Sequence, residues 1–192
     1  MDFLALAREA RSCRRFDESA PLTEKDLEWL LECARLAPSA RNAQELRFIT
    51  ITQGPVLDRL FPLTRWAGAL KDWNGPEQGE RPTAFIATLM PEHASYTTCY
   101  DVGIACQTMQ LAATSRGWGA CMIQSFDHHK AASLLTIPQG LKIALLLGLG
   151  VAQEKRVIAA MPKDGSTTYW RDENDIHHVP KRALTELLIA RY

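Results

Sequence analysis

An excess of either charge is missing from this chain: Lys plus Arg number 22, Asp plus Glu number 22, and the formal net charge is zero. A general binder of nucleic acid or of an anionic membrane carries a basic excess, so any anion site here must be local. A cysteine framework is missing too. The five cysteines (Cys13, Cys33, Cys99, Cys106 and Cys121) are odd in number, widely spaced and form no C-x-x-C. That argues against a set of disulfides or a zinc ribbon. Long apolar runs are absent. Arg8, Glu9 and Arg11 interrupt the N-terminal segment where a signal peptide needs an apolar stretch, and the run 143–149 is far too short to span a bilayer. These absences lead us to expect a cytoplasmic, thiol-reducing location. No G-x-S-x-G or other nucleophile signature occurs, nor any internal repeat or low-complexity tract.

What is present is ordinary globular material. Apolar residues make up 46 % and charged residues 23 % of 192 residues, enough for one domain with a sizeable core. Residues 2–11 read as a helix. Thr23 is a good N-cap for a second helix, with Glu24 and Asp26 in the first turn and Leu27, Leu30, Leu31 and Ala34 at helical spacing; Pro38 stops it. Residues 46–52 alternate and read as a strand. Residues 55–73 give one or two short helices, followed by a Gly/Pro-rich loop to Pro82. Residues 84–90 are apolar almost throughout, as in a strand buried on both faces. The longest helix covers 98–116, with Val102, Ala105, Cys106, Met109, Ala112 and Ala113 on one stripe. Strands follow at 120–126 and 141–149, separated by a short helix that Asp127 caps. Residues 161–179 are polar and irregular, which is unusual inside a compact domain and suits an arm lying across a partner subunit. Pro180 starts a closing helix carrying Leu184, Leu187, Leu188 and Ile189. The fold class is α+β, with antiparallel or mixed pairing.

Three basic clusters carry candidate chemistry. Arg11-Ser12-Cys13-Arg14-Arg15 puts three guanidiniums and a hydroxyl within five residues, a composition that binds phosphate bidentately; the alternative is that Arg8 and Arg11 complement a helix C-terminus. Lys181-Arg182 falls in the first turn of the predicted closing helix, where cations oppose the macrodipole unless an anion binds there. A solvated basic surface is the competing reading. Tyr169-Trp170-Arg171 suits an interface anchor better than a ligand cover. Between a helix and a strand, Pro38-Ser39-Ala40-Arg41-Asn42-Ala43-Gln44 forms a polar loop on rigid supports, a natural place to receive a ligand. Gly148-Leu149-Gly150 lacks the third glycine of a dinucleotide fingerprint, because position 153 is Gln. His128-His129 and His177-His178 lack partners at metal-ligand spacing. The residues themselves name no catalytic nucleophile, no acid–base pair and no metal site.

Taken in order, these pieces resemble the FMN-dependent nitroreductase family. The matching stretches are Arg11-Ser12-Cys13-Arg14-Arg15-Phe16; Ala37-Pro38-Ser39-Ala40-Arg41-Asn42-Ala43-Gln44 with Arg47-Phe48; 101–113 with Gly117-Trp118-Gly119; 121–127; and Leu147-Gly148. The resemblance implies a single nitroreductase-like domain over 1–192. It would hold a central, mostly antiparallel sheet of about four strands flanked by helices, in an intertwined homodimer with a C-terminal arm over roughly 161–192. It implies FMN, held by Arg11, Ser12 and Arg14 at phosphate, ribityl chain and pyrimidine edge. Pro38, Ser39, Ala40 and Asn42 would reach it from the other subunit. Met122, Ile123, Gln124 and Ser125 would lie along the ring, and Lys181 and Arg182 would hold the phosphate. Arg14 is the candidate to stabilise the reduced ring.

The implied activity is oxidoreductase: NADH or NADPH supplies a hydride, and a small electron-poor acceptor such as a nitroaromatic or quinone is reduced. The alternatives are a flavin-binding or sensing protein without turnover, and a specialised flavoenzyme of the iodotyrosine-dehalogenase type. The resemblance brings in a small-molecule substrate and a second copy as partners, with no nucleic acid or membrane. There are departures: Ala10 precedes Arg11 where the family often has a basic residue, and Glu45-Leu46 replaces the usual Pro-Trp. Residues 53–96 carry little of the resemblance, and substrate preference is expected to reside there.

Overall fold

The computed structural model describes residues 2–192. In chain order the elements are α1 (Phe3–Glu9), β1 (Phe16–Asp17), α2 (Glu24–Arg35), β2 (Arg47–Ile51), α3 (Pro55–Leu60), β3 (Ala84–Pro91), α4 (Tyr96–Ser115), β4 (Trp118–Ile123), α5 (His128–Leu134), β5 (Leu141–Ala152), β6 (Arg156–Ala160), β7 (Trp170–Arg171), β8 (His177–Lys181) and α6 (Leu184–Leu187). A five-stranded sheet runs β1-β5-β3-β2, with β4 on β5 as well. All of its ladders are antiparallel. The expected α+β class with an antiparallel sheet flanked by helices is therefore what forms.

Side-chain alternation explains the layering. Along β3, Phe85, Ala87 and Leu89 join one core with Leu57, Leu60, Trp66, Phe126 and Ala131. Ala84 and Ile86 join a second core with Leu27, Leu30, Val102, Cys106, Met109 and Ala113. Successive strand residues point to opposite faces, so α2 and α4 cover one face and α3 and α5 the other. This is why the β3 run is apolar almost throughout. Helix α2 begins as expected: Thr23 Oγ1 accepts from the Asp26 N–H at 3.3 Å while Asp26 accepts from the Thr23 N–H at 2.9 Å. That reciprocal cap holds the Asp26 carboxyl below its ordinary range, first through the Thr23 hydrogen bond. Asp127 caps α5 through the Lys130 N–H.

The C-terminal region differs from expectation. A second sheet, order β6-β8-β7, forms here: β7 and β8 occupy residues expected to be an irregular arm or helix, and β6 just precedes them. Pro180 does not start a helix; it lies inside β8, opposite Ala159 of β6. Strand β7 reaches only His177 and His178. The flank of β8 beyond β7 is therefore open at Pro180, and a missing N–H on that side breaks no ladder bond. The helix that follows is only Leu184–Leu187, with Ala183 at its N-cap. Lys181 and Arg182 thus precede the helix, and the macrodipole argument for an anion there does not apply. Nor are 169–181 a loose arm, since His177 is fully buried in its own chain. The second expected helix within 55–73 is a single 3₁₀ turn at Phe61–Leu63, after which the chain is irregular.

One glycine has a structural reason that bears on the site. A Cβ at Gly119 would lie 2.5 Å from Cys13 Sγ and 2.7 Å from Cys13 Cβ. Only glycine lets the 12–14 segment lie flat along β4. Gly119→Ala is expected to destabilise by about 1–3 kcal/mol, read as a lower urea midpoint at unchanged slope.

Candidate functional site

The Arg11–Arg14 segment is tied to the sheet by its backbone. Ser12 bridges Ala120 in parallel. The Cys13 N–H donates to the Ala120 carbonyl at 2.9 Å, and the Arg14 N–H donates to Glu154 Oε2 at 2.8 Å. Gln110 of α4 donates to the Ala10 carbonyl at 2.9 Å. Arg11 serves both readings of its cluster. Its Nη2 caps the Ala7 carbonyl at 2.9 Å, yet its Nε is buried without a partner, and burial pushes the guanidinium below its ordinary value. Arg15 turns elsewhere, to Glu80 and Asp175, each at 3.1 Å.

Behind this segment lies a group of cations around one carboxylate. Glu154, between β5 and β6, has a fully buried side chain and receives Arg171 Nη2 at 2.6 Å. Arg171 stacks over Trp73 at 4.1 Å. The Arg14 guanidinium sits 4.7 Å above the Tyr169 ring, and its Nη1 meets His177 Nε2 at 3.2 Å. Arg156 lies opposite His177 in the β6–β8 register, with Nε and Nη1 buried and unpartnered. Burial first, then Arg14, Arg171 and Arg156, push His177 down to about 4 against the opposing pull of Glu154. Tyr169 and Arg171, expected to anchor an interface, are thus taken up by the chain's own packing.

Two depressions meet at Arg14 and Met122. One, of 320 Å³, is lined by Arg11, Ser12, Gln107, Gln110, Tyr169 and Lys181 among others. The other, of 260 Å³, is lined by Arg65, Trp66, Cys121, Ile123, Gln124 and Ser125. The fold therefore gathers Arg11, Ser12, Arg14, Met122, Ile123, Gln124, Ser125 and Lys181 around these two adjoining depressions, together called the groove. Arg182 is not among its lining residues and pairs with Glu186 at 3.3 Å. Burial raises the thiols of Cys13 and of Cys121, the latter to about 11, which disfavours their reactive thiolate forms. Among the described residues no cluster of three or more His, Cys, Asp or Glu could hold a metal ion, and no helix is long and apolar enough to cross a membrane.

The 38–44 loop lines neither depression. Pro38 and Ser39 line a separate 430 Å³ cavity with Leu31, Phe48, Asp101 and Ala105. The Ala40 N–H donates to Asp101 Oδ1 at 2.9 Å. Arg41, Asn42 and Gln44 have φ of 53°, 54° and 51°, a left-handed backbone that non-glycine residues adopt at a cost of order 1 kcal/mol each. Such strain persists only where the surroundings enforce it, and it gathers at ligand-contacting loops. Glu45, the departure from Pro-Trp, accepts from Thr98 Oγ1 at 2.7 Å. Its carboxylate thus sits in the first turn of α4, where negative charge is favoured.

A sequence model described as the nitroreductase family matches residues 7–151. The chain belongs to the nitroreductase family. Among curated relatives in the same range of similarity, a 5,6-dimethylbenzimidazole synthase from Rhodospirillum rubrum is 25 % identical over 184 residues, covering 84 % of this chain and 87 % of that protein. An iodotyrosine deiodinase from Thermotoga neapolitana is 23 % identical over 168 residues, covering 79 % and 89 %. A Desulfovibrio desulfuricans protein described as a putative nitroreductase, solved in complex with FMN, aligns with a TM-score of 0.68 at 25 % identity, over 100 % of this chain and 98 % of that one. The family model stops before Glu154, Tyr169 and His177. No local motif announces Glu154 in the sequence, and His177 stood out only as one of a histidine pair.

Two outcomes follow for this nitroreductase-family chain. Glu154→Gln leaves Arg171 buried without its counterion and is expected to destabilise by about 3–5 kcal/mol in denaturant unfolding. For His177 the unfolded chain binds the proton more tightly than the folded one. Stability is therefore undiminished above pH 6.5 and falls as pH drops from 6.5 towards 4, by up to roughly 3 kcal/mol. His177→Gln should flatten that part of the profile in urea melts at pH 7 and pH 4.5.

Proposed function

We propose that the groove is an FMN site and that the protein is an FMN-dependent oxidoreductase. NADH or NADPH is the electron donor, and a small electron-poor acceptor such as a nitroaromatic or quinone is reduced. The observation that carries this reading is Arg11: partly desolvated, its pKa lowered, with a buried Nε lacking a partner beside Ser12 and Lys181. A phosphate supplies the anion that this end of the groove lacks, since Glu154 is already engaged by Arg171 and the Arg14 N–H. Family membership and the FMN complex of the Desulfovibrio relative support the same ligand.

On this reading Arg11, Ser12 and Lys181 hold the phosphate end. Met122, Ile123, Gln124 and Ser125 flank the ring, and Arg14, at the junction of the two depressions, faces its pyrimidine edge. Bound there, FMN supplies the two-electron redox chemistry, and the protein binds, orients and tunes it. A fixed guanidinium at the pyrimidine edge favours the charge that accumulates on reduction. Trp66 and the rest of the 65–68 segment wall the second depression and limit what can reach it. The acceptor class rests on the family alone; its members include a synthase and a deiodinase.

The working unit is proposed to be a homodimer. Pro38, Ser39, Ala40 and Asn42 line neither depression of their own chain; on this reading they complete the groove of a second copy. Large apolar residues stand in water on α1 (Phe3 and Leu4), on α4 (Tyr96 and Tyr100) and in the tail (Leu184, Leu187 and Ile189), surface that a second copy would cover on this reading.

Reconstituted protein should turn yellow with FMN and be bleached by NADH or NADPH; a chain that takes up no flavin overturns the proposal. Arg14→Ala should weaken FMN retention about tenfold or more, the loss of one charge-assisted contact, read by equilibrium dialysis. Co-expressed Arg14→Ala and Asn42→Ala chains should form mixed dimers holding one intact site each, whereas a site built within one chain would gain nothing from mixing.

A further inference from the structure

Arg14 is held by something the family match does not reach. Its guanidinium donates to His177 Nε2 at 3.2 Å and lies over Tyr169 at 4.7 Å; the Tyr169 and His177 rings are themselves 5.1 Å apart. Both residues lie beyond residue 151, where the family model ends. An arginine has no acceptor, so His177 Nε2 must accept, and its proton then resides on Nδ1. Nδ1 faces Glu154 Oε1 at 3.9 Å and makes no hydrogen bond. A second proton on the ring would set an N–H against the guanidinium.

We propose that His177 is a positioning residue for Arg14: the neutral imidazole fixes the guanidinium at the junction of the two depressions and keeps it from turning back to pair with Glu154. The C-terminal sheet then sets the electrostatics of a site built mainly by the rest of the chain. This rests on the FMN reading of the groove. The charged and titratable groups facing His177 are Arg14 from the segment before β1, Glu154 from the β5–β6 turn, Arg156 on β6, Arg171 on β7, and Tyr169 preceding it. Cations outnumber the single carboxylate, which favours the neutral ring. Burial acts in the same direction.

Two properties follow. While the ring is neutral, Arg14 is available to a bound anion. When the ring is forced to protonate, Arg14 is displaced, and preference for the reduced, anionic cofactor is lost with it. The histidine therefore acts on the reduced-to-oxidised affinity ratio more than on phosphate retention, which Arg11, Ser12 and Lys181 supply.

The test compares His177→Gln with His177→Asn in the FMN-loaded protein. A Gln Oε1 reaches the place of Nε2, whereas an Asn oxygen reaches only the place of Nδ1. The expected result is that Gln keeps the wild-type ratio of affinities for reduced and oxidised FMN. Asn should lower that ratio about tenfold, the worth of one hydrogen bond to a charged group, read as a shift of the flavin midpoint potential with FMN still bound. Equal potentials in the two variants would overturn the proposal while leaving the FMN reading intact. A flavin-independent arm separates the two failures: in flavin-free protein the NMR titration of His177 should move up in Arg14→Met. An unmoved titration overturns the Arg14–His177 link itself. Wild-type protein that takes no FMN removes the function, and this role with it.

Discussion

One buried carboxylate organises this molecule around its groove. Glu154 receives the Arg14 backbone and the Arg171 guanidinium, and so ties the 11–14 segment to the C-terminal sheet. Without it, several guanidiniums would share a desolvated region with no counterion, an arrangement that cannot persist. With it, the charges are only partly balanced, and Arg11 and Arg156 keep unpartnered nitrogens. The fold thus holds together a local positive field in a chain of zero net charge. That is the condition the composition imposed on any anion site.

Most of the main sheet and its helices was legible in the sequence because each carried a local signal. The apolar run of β3 indicated burial on both faces, the Thr23–Asp26 pair marked the start of α2, and Asp127 marked α5. The C-terminal region was not legible for a definite reason. Strand β8 contains Pro180, normally a helix-start or strand-breaking signal, and its pairing with β6 is a non-local parallel ladder. Likewise Glu154 and His177 matter through tertiary proximity, with Glu154 and Arg14 140 positions apart in the chain. No window of sequence contains that relation.

The candidate site was legible in part. Arg11, Ser12, Arg14, 122–125 and Lys181 do meet in one groove, whereas Arg182 does not join them. Lys181 lines the depression as the last residue of a strand, not from the helix turn in which the sequence reading set it. The 38–42 stretch keeps its interest for a reason the sequence could not contain: it is strained, anchored by Asp101, and absent from the lining of its own chain's groove. On the proposed reading, the strain and the absence from its own groove have one explanation, a second copy whose site that loop completes.

The central claim is that a phosphate-bearing flavin satisfies the unpaired cations of the groove. The most direct measurement is a titration of flavin-free protein with FMN and, separately, with riboflavin, which carries the same ring without the phosphate. The account predicts that FMN binds at least about a hundredfold more tightly, the worth of two or more charge-assisted contacts, and that this advantage shrinks as salt is added. Equal affinity for the two, or no binding of either, would contradict it.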